Sequence, residues 1–114
     1  MTQKIYKILT PEQWQDALSA GVFKGAPVDL ADGYIHFSTA DQAQETADKH
    51  FRHSGDLLLA AFEDSVFGEA LKWEPSRGGA LFPHLYAELD PSLALAVHDL
   101  PQKDDGSHQF PETY

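Results

Sequence analysis

The stretch YIHFSTADQAQETADKHF, Tyr34 to Phe51, changes its periodicity midway, and that change decides the fold. In its first half Ile35 and Phe37 alternate with Tyr34, His36 and Ser38, the period of a strand with one apolar face. From Thr39 onward Ala43, Ala47 and Phe51 recur every four residues, which is a helical stripe. Thr39 with Gln42 three positions later is a capping-box start, and Ser54-Gly55 marks the expected end. A strand therefore runs straight into a helix. Its polar face finishes at the junction, where ligands of layered α/β proteins often bind.

Working outward, KIYKIL (Lys4 to Leu9) reads as a first strand. Thr10-Pro11-Glu12-Gln13 then opens a helix with a capping box and proline at its first position. Trp14, Ala17 and Leu18 share one face of that helix, with Trp14 as a core anchor, and Gly21 is its natural stop. Residues 24–33, KGAPVDLADG, read as a loop rich in Gly, Pro and Asp. Beyond the central stretch, DLLLAAFE (Asp56 to Glu63) is apolar on both faces, as a strand covered on both sides must be. LKWE is a short strand, Pro75 to Gly79 a turn, and ALAVHDL (Ala94 to Leu100) a final strand. The passage Phe82 to Leu89 fits both periods. With period two, His84, Tyr86 and Glu88 share a face; with period 3.6, Phe82, Leu85, Tyr86 and Leu89 form a stripe. An extended or single-turn segment is preferred, and the sequence supports both periods.

The chain has 114 residues, room for one domain: residues 1–101, followed by a polar tail, 102–114, loosely ordered or draped on the surface. Its apolar content of 42% suits a globular protein. A formal charge of −10 argues against nucleic-acid binding, which depends on Lys and Arg displacing counterions. The absence of cysteine removes disulfides and thiol chemistry and fits a reducing cytoplasm. The opening MTQKIYKILTPEQ has no small-residue cleavage pattern, so no signal peptide is expected. The longest apolar run, LLLAAF, is too short to cross a bilayer. A cytoplasmic monomer or simple oligomer, the monomer preferred, with no membrane or nucleic-acid partner is the expectation; the sequence names no protein partner.

Three groups can carry chemistry. His36 sits at the strand–helix junction with Tyr34 and Ser38 on its face, beside the free N–H groups of a helix start; Asp41 in that first turn works against an anion there. Arg77 lies in SRGG, where Gly78 and Gly79 allow close backbone approach and a guanidinium matches phosphate or carboxylate with two bonds. His84, Tyr86 and Glu88 put an imidazole, a phenol and a carboxylate on one face. Such a set hydrogen-bonds sugar hydroxyls, stacks a base or moves protons near neutral pH. Each group has a structural alternative: a buried histidine bonded to backbone, a turn arginine that is either solvated or paired with Glu74, a core tyrosine. His50 and His53 read as a polar helix face, because no H-E-x-x-H pattern accompanies them. No metal site is expected, although His36 with His84 on a divalent ion is a weaker reading. No G-x-S-x-G elbow supports a serine hydrolase.

IYKIL…W…G, DGYIHFST and LKWEPSRGGALFPHLY, with the short final strand, resemble a family of small bacterial and plant proteins, domain-of-unknown-function family 952. The resemblance runs from about Ile5 to Leu100. The family is similar in fold to ADP-ribosyltransferase-like proteins, which implies an NAD-like nucleotide as ligand or cofactor. In those transferases an early-strand His followed two residues later by Ser or Thr contacts the nicotinamide-side ribose, and His36 and Ser38 match that pair. Tyr86 corresponds to an aromatic near nicotinamide. The late-strand glutamate of the catalytic set has no counterpart in Ala94 to Leu100, leaving Glu88 as a stand-in. Relatives that remove a phosphate from tRNA depend on several arginines, and this chain has two.

The expectation is thus a single α+β domain: a twisted, split, mixed sheet of five or six short strands with two main helices, ADP-ribosyltransferase-like. Its function would be to bind a small nucleotide or NAD-like ligand, with transferase activity on it if the protein is an enzyme. Tyr34, Ser38, Arg77, Gly78 and Gly79 would bind, while His36, Tyr86 and His84 would act in catalysis. The alternative is a non-catalytic binding or protein-interaction module.

Overall fold

Strand β1, Lys4–Leu9, alternates between two cores: Ile5 and Leu9 enter one, and Tyr6 and Ile8 the other. Its neighbour β4, Leu57–Glu63, does the same along its length. Leu58, Ala60 and Phe62 face the first core, and Leu57, Leu59 and Ala61 the second. That double burial is why LLLAAF is apolar at every position. The computed structural model describes residues 2–76 and 79–114, so Arg77 and Gly78, both expected at a ligand site, lie outside the described residues.

Two antiparallel sheets build the domain. One runs β3-β1-β4-β7, with β3 at Ser38–Thr39 and β7 at Ala96–Leu100. The other runs β2-β6-β5, with β2 at Ile35–His36, β5 at Leu71–Pro75 and β6 at Leu81–Leu85. The first core fills the space between the sheets and under helix α1, Pro11–Ala20. The second lies on the far face of the larger sheet, beneath helix α3, Ala40–His50, which buries Ala43 and Ala47. Every pairing is antiparallel, where a mixed sheet was expected, and the strands number seven among the described residues rather than five or six.

The alternating half of the opening stretch is not one strand. It pairs with β6 through Ile35 and His36, then crosses at Phe37 to pair with β1 through Ser38 and Thr39. Phe37 N–H donates to the Pro83 carbonyl at 3.0 Å, pinning the crossover. The two sheets are therefore sewn together at the residues suspected of chemistry.

The helix starts follow the capping signals. Thr10 Oγ1 accepts from Gln13 N–H at 3.0 Å, while Gln13 Oε1 accepts from Thr10 N–H at 2.9 Å. Thr39 N–H donates to Gln42 Oε1 at 3.0 Å. Helix α3 ends at His50 with Phe51 as its cap, four residues before the expected Gly55, because Phe51 turns into the second core. On α1, Leu18 is exposed although it was expected on the packed face; Ala17 and Trp14 carry that contact.

A larger departure lies at residues 24–33, expected as loop. Pro27–Asp32 forms a short helix, α2, closed by Gly33 at φ 87°. Its start is Ala-Pro-Val-Asp, in which Asp29 Oδ2 accepts the Ala26 N–H at 2.8 Å. The signal was present: proline at the first helical position with an acid two residues on.

The tail is held to the surface. His108 is buried with Nε2 2.8 Å from the Gly55 carbonyl, and Phe110 and Tyr114 pack on the second core, where Tyr114 meets Tyr6 edge-on at 5.4 Å.

Candidate functional site

A cleft of about 460 Å3 opens at the crossover, between α3, α2, β1 and β6. Tyr34, His36 and Ser38 line it from the crossing strand, Asp32 from the end of α2, and Phe82 and His84 from β6. His36 and His84 are direct cross-strand partners, so β2–β6 register alone places the two imidazoles together. Their ring centroids are 5.6 Å apart, and Tyr34 stacks on His84 at 4.1 Å.

Each imidazole is held by a carboxylate. His36 Nδ1 lies 2.6 Å from Asp29 Oδ1, which also accepts the His36 backbone N–H at 3.0 Å. Lys7 bridges Asp29 at 2.9 Å and donates to the His36 carbonyl at 3.0 Å. Asp29 and Lys7 are both buried. Burial alone would raise the Asp29 carboxyl, but the bonds from His36 and the ammonium of Lys7 outweigh it and hold that carboxyl well below the usual range. Burial pushes the Lys7 ammonium below its ordinary value, against the pull of Asp29. On the outer side, His36 Nε2 lies 2.9 Å from Oδ2 of the half-exposed Asp32.

His84, itself buried, places Nδ1 2.8 Å from Glu74 Oε1, on the adjacent strand β5. Tyr86 donates its hydroxyl to the same oxygen at 2.7 Å. These two bonds, that of Tyr86 first, hold the Glu74 carboxyl below its ordinary value. The same hydrogen bond keeps the Tyr86 phenol protonated and pushes it up to about 12. Ultraviolet titration should therefore show one tyrosine ionising last. Tyr86→Phe should remove that final step, and Glu74→Gln should return it towards the ordinary value of about 10. An unchanged last step in Glu74→Gln would show that this carboxylate does not hold the phenol.

Helix α3 faces the cleft with Thr46, which is 3.1 Å from Ser38 Oγ, and with His50. Among the described residues no group of three His, Asp or Glu side chains has a metal-holding arrangement.

The family profile described as Protein of unknown function (DUF952) matches residues 8–97. The chain belongs to the DUF952 family. The X-ray structure of protein CC0527 from Caulobacter crescentus is 51% identical, with a TM-score of 0.90 and coverage of 94% of each chain. The solution NMR structure of CC0527 matches at 52% identity with a TM-score of 0.83, covering 93% of this chain and 91% of that one. No curated protein matches. Among the described residues no helix is long and apolar enough to cross a membrane.

In this DUF952 chain the structure brings Tyr34, His36, Ser38 and His84 to one cleft. Tyr86 stands at its rim, 5.2 Å from Tyr34. Gly79 closes the β5–β6 turn, its N–H donating to Ser76, and Ser76 rather than Gly79 lines the cleft. Glu88 lies in a separate shallow depression with Lys24 and Leu30. Sequence reasoning missed Lys7, Asp29 and Asp32, and it assigned Glu74 only as a partner for Arg77. A lysine in the middle of a buried strand is itself a signal, because a buried ammonium requires a buried counter-charge.

Proposed function

We propose that the cleft binds a small ligand of nucleotide or NAD-like type, its ribose hydroxyls towards His36 and Ser38 and a flat ring beside Tyr34. One observation carries this reading. Two imidazoles on adjacent strands, each bonded at Nδ1 to a carboxylate, line the same open cleft. Histidines serving only the core need no cavity, whereas about 460 Å3 suits a small-molecule site. Arg77 would neutralise a phosphate on such a ligand.

If turnover occurs, the ADP-ribosyltransferase-like role falls to His36 holding the ribose and to Tyr86 and His84 orienting the leaving group. Glu74 is then a better carboxylate than Glu88, since it already contacts both Tyr86 and His84. Carboxylates around the cleft would favour positive charge developing on a ribosyl carbon.

Titration of labelled protein with NAD, ADP-ribose and AMP should shift the backbone amides of His36, Ser38 and His84. Silence at these positions at ligand concentrations on the order of millimolar, where even weak specific binding registers, overturns the reading. Release of nicotinamide from NAD separates an enzyme from the alternative, a module that binds without turnover.

A further inference from the structure

Resting on that reading, we infer that His84 is the proton-transfer residue of the cleft: its Nε2 takes the proton of a water that displaces the flat ring from the ribosyl carbon of an NAD-like ligand. The two cross-strand imidazoles differ in what they have left to offer. His36 is engaged at both ring nitrogens, by Asp29 at 2.6 Å and by Asp32 at 2.9 Å. His84 is engaged at Nδ1, by Glu74 Oε1 at 2.8 Å, and its Nε2 makes no hydrogen bond among the described residues. Among those residues the one fully buried side-chain nitrogen or oxygen without a partner is His108 Nδ1, so Nε2 of His84 keeps a surface open to solvent. His84 borders the cleft, where a ligand can reach that nitrogen.

Proton counting fixes what Nε2 does. Glu74 Oε1 also accepts the Tyr86 hydroxyl at 2.7 Å, and the group is held as a carboxylate. A carboxylate oxygen only accepts, so Nδ1 carries its hydrogen whether the ring is neutral or doubly protonated. The proton that comes and goes is therefore the one on Nε2. A carboxylate bonded at Nδ1 also steadies the imidazolium that forms when Nε2 takes up a proton. Glu74 is then a positioning residue, acting through His84, and Tyr86 holds it in place. The chemistry calls for one such atom. When water attacks the ribosyl carbon, a C–O bond forms and the C–N bond breaks with its electron pair on the ring nitrogen. The cationic ring thus leaves as neutral nicotinamide and needs no acid. The proton to be moved belongs to the water; it passes to Nε2 as general base and then to solvent, leaving ADP-ribose.

The test follows nicotinamide release from NAD by the full chain, beside ADP-ribose binding read from the amide shifts of His36 and Ser38. His84→Asn sets an amide N–H where Nδ1 stood, which keeps a donor for Glu74 and removes the outer nitrogen. His84→Gln instead fills the outer position with an amide that takes up no proton. Both variants should bind ADP-ribose as wild type does and lose on the order of a hundredfold or more in release, the usual contribution of a general base. The loss should fall on kcat and leave KM in place, a split that damage to the fold does not produce. An amide spectrum unchanged away from the cleft shows either variant to be folded. Release at the wild-type rate in a folded variant overturns the inference and leaves the nucleotide reading standing. A fall in release matched by an equal fall in ADP-ribose affinity does the same, since His84 then serves binding alone. So does wild-type protein that binds ADP-ribose and releases no nicotinamide. If neither ADP-ribose nor NAD binds, both fall.

Discussion

Asp29→Ala should destabilise the protein by about 3–5 kcal/mol in urea unfolding, the loss expected when one partner of a buried ion pair is removed. The substitution leaves the Lys7 ammonium in a buried position with the His36 carbonyl as its remaining hydrogen-bond acceptor among the described residues. It also strips His36 of its inner anchor and the Ala26 N–H of its acceptor. Against a total stability of about 5–15 kcal/mol, this is a large share. Adding Lys7→Met should return part of the loss, because a methionine of similar length leaves no unpaired charge. A cost below about 1 kcal/mol for Asp29→Ala, a value typical of exposed pairs, would show that this network is not buried in solution.

The same group sets the acid behaviour. In the folded chain the Asp29 carboxyl lies below its unfolded value, near 3.9 for aspartate. As pH falls, the unfolded chain therefore takes up the proton first. The contribution of Asp29 is complete above the unfolded value and is lost progressively as pH drops towards the folded one. Denaturant midpoints should thus decline less steeply between about pH 4 and 2 in Asp29→Asn than in wild type, once the midpoints are aligned at neutral pH. Parallel acid limbs for the two proteins would remove Asp29 as a source of that slope.

What the sequence made legible follows the range of each interaction. Thr10 with Gln13, and Thr39 with Gln42, are contacts three residues long, and both helix starts appear where those pairs stand. The double-faced apolar run of β4 announced a central strand for an equally local reason. The meeting of His36 with His84 is different. It depends on register between segments nearly fifty positions apart, and period-two alternation suggests a face without naming its partner. The crossover at Phe37 was hidden because a strand that changes sheets keeps its alternation throughout. The acids hid for another reason. Asp29 and Asp32 looked like loop residues, since Gly, Pro and Asp mark both turns and short helix starts. Only Lys7, a charge inside an apolar strand, pointed towards them.

Phe62→Ala should cost a further measure of stability, about 3–5 kcal/mol for a fully buried phenylalanine, and should also disturb the cleft. Phe62 meets Phe37 edge-on at 5.8 Å and lies 6.0 Å from Phe67, so the three rings brace one another between the sheets. Phe37 is the hinge of that arrangement: His36 precedes it in one sheet and Ser38 follows it in the other. Removing the ring beneath it leaves a void that partial collapse cannot fill. The change should therefore appear as shifted amides at His36 and Ser38 as well as a lower unfolding midpoint. Phe67→Ala, at a half-buried position on the same ring cluster, should cost less while moving the same two amides. Loss of stability in Phe62→Ala with both amides unmoved would mean that the hydrogen bond from Phe37 to Pro83 holds the crossover unaided. Site geometry would then be a property of strand pairing, not of the core.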